Sequence, residues 1–231
     1  MAGPSKKFSL TRLDSAFLPI AMQTAFAELV SRSLQTRPML LIGLPGGHSL
    51  DGFYEGLGKR VPLEHRRHLF FFPVDERVVE KNSRESNGRC LQAMLCDARL
   101  ANPKQVLLPD LNEMEAYKTL LHSLAPDGAD LLIFGVGEDG HIASLFPKRK
   151  ELGAKGEKWL EIENAPKPPP RRVTISPSVI ARAKEVWLVF RGKEKQKALK
   201  RFLDKKTSVK DCPAKLALEG KHRVLVWTDR P

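Results

Sequence analysis

Short runs of consecutive apolar residues punctuate this chain at 38–44, 69–74, 130–136, 186–190 and 224–227. Unbroken runs of roughly four to eight such residues are what a strand needs when both faces of its sheet are covered. Between them the apolar residues recur at helical spacing. The segment 12–34 places Leu18, Ala21, Ala25, Leu29 and Val30 on one face, and similar patterns lie at 86–95, 112–124 and 194–203, with a shorter helix at 51–57. Strands alternating with helices predict an α/β fold: a mainly parallel sheet flanked by helices on both faces, in a single domain spanning 1–231.

Such a sheet binds ligands in the crevice beyond the carboxyl ends of its strands. Segments rich in turn and polar residues are expected there: the loop at 45–49, Asp75-Glu76-Arg77, and the stretch from Gly135 to His141. Their shared location says more than any one of them. Pro166-Lys167-Pro168-Pro169-Pro170 reads as a stiff extended connector. The segment 148–158, with two glycines and no periodicity, reads as a mobile surface loop.

Composition narrows the class. A chain of 231 residues with 42% hydrophobic and 29% charged residues buries an ordinary core without staples. Cys90, Cys96 and Cys212 lack ligand-like spacing, so neither a disulfide framework nor a metal site is expected. No signal-like apolar segment precedes Asp14, and no run approaches the roughly 20 residues of a membrane span. A cytoplasmic protein with no membrane partner is the expectation. The net charge of +12 is scattered, with local excess at 148–158 and 191–210, and only two tyrosines accompany it. Nucleic-acid binders concentrate charge and interleave aromatics, so no nucleic acid is expected. The charge is read as solvated surface that also draws an anionic substrate inward.

Chemistry concentrates in 130–147. A buried strand ends in Gly135, Gly137 and Gly140, with Asp139 and His141 between and beyond them. Glycines let the backbone adopt positive φ and a ligand approach closely. A histidine two residues from an aspartate at a strand's end is a base with its orienting carboxylate beside it. Asp139 is equally suited to cap a helix beginning near Gly140, and the two roles are compatible.

That segment resembles the Gly-x-Gly-x-Asp-Gly-His-x-Ala-Ser-Leu-Phe-Pro signature of the 6-phosphogluconolactonase family. Further matches follow in the family's order. Gly46-Gly47-His48-Ser49 is similar to its Gly-Gly-Ser-Thr-Pro phosphate loop, and Asp75-Glu76-Arg77-Val78-Val79 to its Asp-Glu-Arg-x-Val segment. Arg172-Val173-Thr174 is similar to its Arg-Val/Ile-Thr strand, and Gly192 with Lys195 to its Gly-x-x-Lys turn. The likeness extends over residues 12–228. Departures are His48, Ser49 and Leu50 for Ser-Thr-Pro, Glu80 for a common Pro, Gly88 for Tyr, and Ile142 for Thr. They bear on affinity more than on reaction type.

The resemblance implies a Rossmann-like fold of the sugar-phosphate isomerase/deaminase type. It also implies hydrolysis of 6-phosphogluconolactone by one base, without cofactor or metal. His141 would activate water and Asp139 would orient it. Gly46, Gly47, His48, Ser49, Asp75, Arg77, Arg172 and Lys195 would hold the substrate and its phosphate, near a helix N-terminus. Amides of the turn at Gly135, Gly137 and Gly140 would face the oxyanion. The partner expected is the small phosphosugar lactone, acting on a monomer. Glucosamine-6-phosphate deaminases share Asp-Gly-His-Ile-Ala but continue Phe-Asn-Glu-Pro, where this chain has Ser144-Leu145-Phe146-Pro147. A sugar-phosphate sensor on the same fold would lose the base, and here both Asp139 and His141 are present.

Overall fold

A computed structural model describes residues 8–47, 50–80, 82–156 and 159–231. Its centre is a sheet of β1 (Ser9–Arg12), β2 (Leu40–Leu44), β3 (Leu69–Pro73), β5 (Leu131–Gly135), β8 (Glu185–Phe190) and β9 (Arg223–Thr228). The spatial order is β1-β9-β8-β5-β2-β3, and every pairing in it is parallel.

Period-2 alternation divides the core cleanly. Leu41, Phe72, Leu132, Phe134, Leu188 and Val226 face one side of the sheet. There they meet α5 (Met114–Leu124), α6 (Pro177–Arg182) and α7 (Gln196–Leu203). Leu40, Ile42, Phe71, Ile133, Trp187 and Trp227 face the other side. These pack on α1 (Leu18–Ser33), α2 (Leu57–Arg60) and α4 (Asn87–Asp97), while α3 (Leu63–Arg66) leads into β3. A strand buried on both sides is apolar throughout, which is why these runs were visible in the sequence.

A second sheet was not foreseen as such. β4 (Asp75–Arg77), β6 (Trp159–Ile162) and β7 (Arg172–Ile175) pair antiparallel in the order β4-β7-β6. β4 follows β3 after Val74 alone, so Asp75, Glu76 and Arg77 lie on a strand rather than in a loop. The first helix begins at Leu18, not at 12: Phe17 and Leu18 donate to the Asp14 carbonyl, and Pro19 occupies the first turn. The segment read as a mobile loop contains a 3₁₀ turn, Lys150–Gly153, with Glu151 buried and Leu152 against the core. The proline run, expected to be an extended connector, instead bends through 166–169, with the Ala165 amide donating to the Pro170 carbonyl and Arg172 gathering its other carbonyls, as described below.

Candidate active site

β5 delivers the chain to the carboxyl edge of the sheet at Gly135, and a tight turn follows. The Gly137 amide donates to the His141 carbonyl at 2.9 Å, and the Gly140 amide to the Gly137 carbonyl at 2.9 Å. Gly140 sits at φ +92°, with Cys212 beneath it, and its carbonyl accepts from the Ala214 amide. A Cβ at position 137 would lie 2.0 Å from His141 Nδ1. Glycine there makes room for the imidazole. The expectation that these amides serve an oxyanion is corrected for Gly137 and Gly140, because both N–H groups are consumed inside the turn.

Within this turn Asp139 Oδ1 stands 2.6 Å from His141 Nδ1 and also accepts the His141 amide at 3.1 Å. The two side chains are 42% and 17% exposed. Burial pushes the Asp139 carboxyl up, but the hydrogen bond and charge of His141 and local amides outweigh it, holding the group at about 2. An ionised carboxylate can only accept, so Nδ1 carries a proton, and in the neutral form of the ring Nε2 is the nitrogen with the lone pair. The Phe146 ring packs 4.8 Å from the imidazole, centroid to centroid.

Below the dyad lies a buried polar floor. Register places Asp75 opposite Thr174 and Arg77 opposite Arg172. Asp75 accepts from Ser144 Oγ at 2.5 Å and from Asn87 Nδ2 at 3.1 Å, and pairs with Arg172 at 3.9 Å. The Ser144 amide donates to Thr174 Oγ1. Arg172 is 7% exposed. It donates through Nε to the Pro169 carbonyl and through Nη2 to the Lys167 carbonyl, and its guanidinium lies 5.8 Å from the Phe146 centroid. Burial pulls its pKa down, Asp75 opposes that, and Arg77 adds to the fall. One edge of the guanidinium is therefore locked into the proline run. Nη1 keeps only longer contacts, to Ser144 and Asp75.

The phosphate-loop candidates approach the same floor. A Cβ at Gly46 would overlap Asn87 Oδ1 at 2.4 Å, and Tyr54 Oη fixes the adjacent Pro45 carbonyl at 2.8 Å. Gly47 adopts φ +74° with open space around it. His48 and Ser49 lie outside the described residues. The nearby start of α4 is not a vacant anion site. Glu76 accepts from the Asn87 and Gly88 amides at 2.7 Å each and from Ser86 Oγ at 2.9 Å, while Ser86 Oγ caps the Arg89 amide.

Arg77 donates through Nη1 to the Glu85 carbonyl, and its buried Nε has no hydrogen-bond partner. Lys195 follows β8, the strand beside β5, and therefore stands at the same sheet edge, 3.9 Å from Glu194. It makes no hydrogen bond to the dyad or the arginines among the described residues. Dyad, floor, Gly46 and the two arginines thus form one contiguous group, with Lys195 on its flank. Sequence reasoning missed Glu76, Asn87, Thr174 and the packing roles of Ser144 and Phe146. Ser144 and Phe146 lay inside the most specific motif, and Ser86-Asn87 was visible, but a floor assembled from four segments leaves no local signal.

Parallel sheet and histidine–carboxylate pair at its carboxyl edge together define an α/β protein with a candidate site at the position where such sheets bind ligands. The chain belongs to the family described as glucosamine-6-phosphate isomerases/6-phosphogluconolactonase, whose model matches residues 14–227. Among curated relatives, the 6-phosphogluconolactonase of Borreliella burgdorferi is 35% identical over 208 residues, covering 86% of this chain and 87% of that protein. The fold matches the crystal structure of 6-phosphogluconolactonase from Thermotoga maritima with a TM-score of 0.81 at 24% identity, over 96% of this chain and 99% of that one. A monomeric glucosamine-6-phosphate deaminase also superposes, with a TM-score of 0.73 at 18% identity, over 96% and 97% of the two chains. Fold alone therefore does not separate the two activities.

Proposed function

We propose that this chain hydrolyses 6-phospho-D-glucono-1,5-lactone to 6-phosphogluconate, the lactone-opening step of the oxidative pentose phosphate pathway. The observation that carries the reading is the 2.6 Å contact of His141 Nδ1 with Asp139, which fixes the imidazole with Nε2 as the free base. Nε2 takes a proton from water as its oxygen attacks C1. The tetrahedral intermediate collapses, the bond from C1 to the ring oxygen breaks, and the imidazolium returns the proton to that oxygen. Asp139 stabilises the imidazolium meanwhile.

Arg77 and Arg172 lie opposite each other across β4 and β7, and the one carboxylate paired with either among the described residues is Asp75, beside Arg172. Like charges facing across a ladder are unfavourable, and a bound phosphate relieves that. The clamp is completed by Lys195 and by the loop carrying Gly46, Gly47, His48 and Ser49. Asp75 acts as the counter-ion that orients Arg172. Gly135, Gly137 and Gly140 shape the turn.

The deaminase alternative fails on one position. Phe146 stands where that family's Phe-Asn-Glu-Pro carries its glutamate, and its ring covers the imidazole. A monomeric, cytoplasmic enzyme completes the reading. Among the described residues no helix is long and apolar enough to cross a membrane, and all three cysteines are unpaired.

The test is turnover of freshly made lactone, corrected for spontaneous opening, beside ammonia release from glucosamine 6-phosphate. Hydrolysis without ammonia release is expected. Ammonia release, or no rate above the spontaneous one, overturns the assignment.

A further inference from the structure

The local charge excesses at 148–158 and 191–210 are far apart in sequence, yet the fold joins them on one flank of the dyad. The Lys148 amide donates to the Lys210 carbonyl at 2.8 Å, and Arg201 Nη1 donates to the Asp139 carbonyl at 3.3 Å. Between them opens a cavity of about 590 Å³, lined by Asp139, Phe146, Lys148, Arg149, Arg201 and Asp211 among others. That volume lies within the range of small-ligand sites, roughly 300–1,000 Å³. Neither Gly46, Gly47, Arg77, Arg172 nor Lys195 lines it, so it is separate from the proposed phosphate clamp.

The acids in this cavity already have side-chain partners, while two of its cations face no carboxylate. Asp139 holds His141, and Asp211 accepts from Ser208 Oγ at 2.7 Å. Arg149 is tied to Glu151 and to the Glu163 carbonyl. Lys148 and Arg201, by contrast, have no carboxylate partner among the described residues. Lys148 is exposed and sits at φ 62°, a backbone conformation rare for lysine, with its backbone N–H hydrogen-bonded to the Lys210 carbonyl. Two cations without a carboxylate partner, Arg201 held only by a carbonyl, suit a small, multiply charged anion.

We infer that this cavity is a second anion site, taking a phosphate-bearing metabolite between Lys148 and Arg201. The ligand's charge competes for Arg201 with the Asp139 carbonyl, which places the site against the backbone of the dyad's own aspartate. The inference does not depend on the reaction proposed above.

Calorimetric titration of the whole protein with inorganic pyrophosphate, and separately with metal-free ATP, tests it. Saturable binding is expected in the wild type. Tighter binding of ATP than of pyrophosphate assigns the site to a nucleotide, and equal affinity to the phosphate groups alone. Lys148→Glu and Arg201→Gln should each weaken binding roughly tenfold or more, as loss of a charge-assisted contact does. Arg77→Ala should remove only what the clamp itself binds and leave the component sensitive to Lys148→Glu, and Lys205→Glu, outside the cavity, should leave both unchanged. Lys148→Glu should also keep wild-type lactone turnover, which verifies folding. Absence of binding, loss in Arg77→Ala with Lys148→Glu unaffected, or equal losses in Lys148→Glu and Lys205→Glu would each overturn the site. Failure of the lactonase reading would appear separately, as absent turnover with the titration unaffected.

Discussion

An imidazole is useful as a base only when its orientation and tautomer are set before substrate arrives, and here three neighbours set them. Asp139 holds Nδ1, Phe146 covers one side of the ring, and the absent side chain of Gly137 leaves the space the ring fills. Replacing His141 by Asn should lower kcat by roughly 10²–10⁴-fold, the usual scale of general-base catalysis. KM should change little, and near-wild-type turnover would remove His141 as the base. Gly137→Ala tests the packing argument independently. Its Cβ would lie 2.0 Å from Nδ1, so the ring must turn away from Asp139. Activity should fall nearly as far as in the histidine variant, with thermal unfolding shifted by only a few degrees. Asp139 also fixes a pH dependence. Its folded-state value, about 2, is depressed below the ordinary carboxylate value, so its stabilising contribution is complete above about pH 4 and is lost as pH falls toward 2. Asp139→Asn should therefore flatten the acid limb of stability over that window, as read by denaturation at fixed pH values.

At the scale of elements, the turn carrying Asp139 and His141 rests on the small sheet through Ser144, which bonds Asp75 and Thr174. Glu76, 5% exposed, seals the start of α4 while its neighbours Asp75 and Arg77 face the site from the same three-residue strand. Removing this carboxylate in Glu76→Ala strands the Asn87 and Gly88 amides in the interior. A cost of about 3 kcal/mol or more is expected, since hydrogen bonds to a buried charge are worth about 1.5–3 kcal/mol each. Urea denaturation measures it, and a midpoint within error of the wild type would contradict this account. The same sheet explains where sequence reading ran out. β2, β3, β5, β8 and β9 were legible because burial on both faces makes a strand apolar throughout. β4 is Asp-Glu-Arg and carries no such pattern; Asp75 and Glu76 are buried because α4 and Ser144 supply their partners, while Arg77 stays half-buried. Arg172 was readable as a candidate from its motif. Its locked edge was not, because the acceptors are backbone carbonyls of a proline run whose composition says nothing about where they point.

Over the whole molecule, the parallel sheet sets one edge at which β2, β5 and β8 all end, and the net charge of +12 acts on whatever approaches it. A phosphorylated lactone is an anion, so this field should raise its encounter rate without touching the chemical step. Raising sodium chloride from about 10 to about 150 mM shortens the screening length from about 30 to about 8 Å. The value of kcat/KM for the phosphorylated lactone should then fall several-fold while kcat stays constant. The unphosphorylated lactone, a poor substrate without a group for Arg77 and Lys195 to hold, should show almost no salt dependence. Arg77→Ala separates the local clamp from the general field. It should raise KM for the phosphorylated lactone, costing roughly 10–150-fold in kcat/KM, the scale of one charge-assisted hydrogen bond. The remaining activity should keep most of its salt dependence, because the other cations still supply the field. Should the variant lose its salt dependence altogether, attraction resides in the clamp and the wider charge is inert. Should both lactones respond equally to salt, the ions act on the protein itself, and the charge has no part in drawing substrate to the sheet edge.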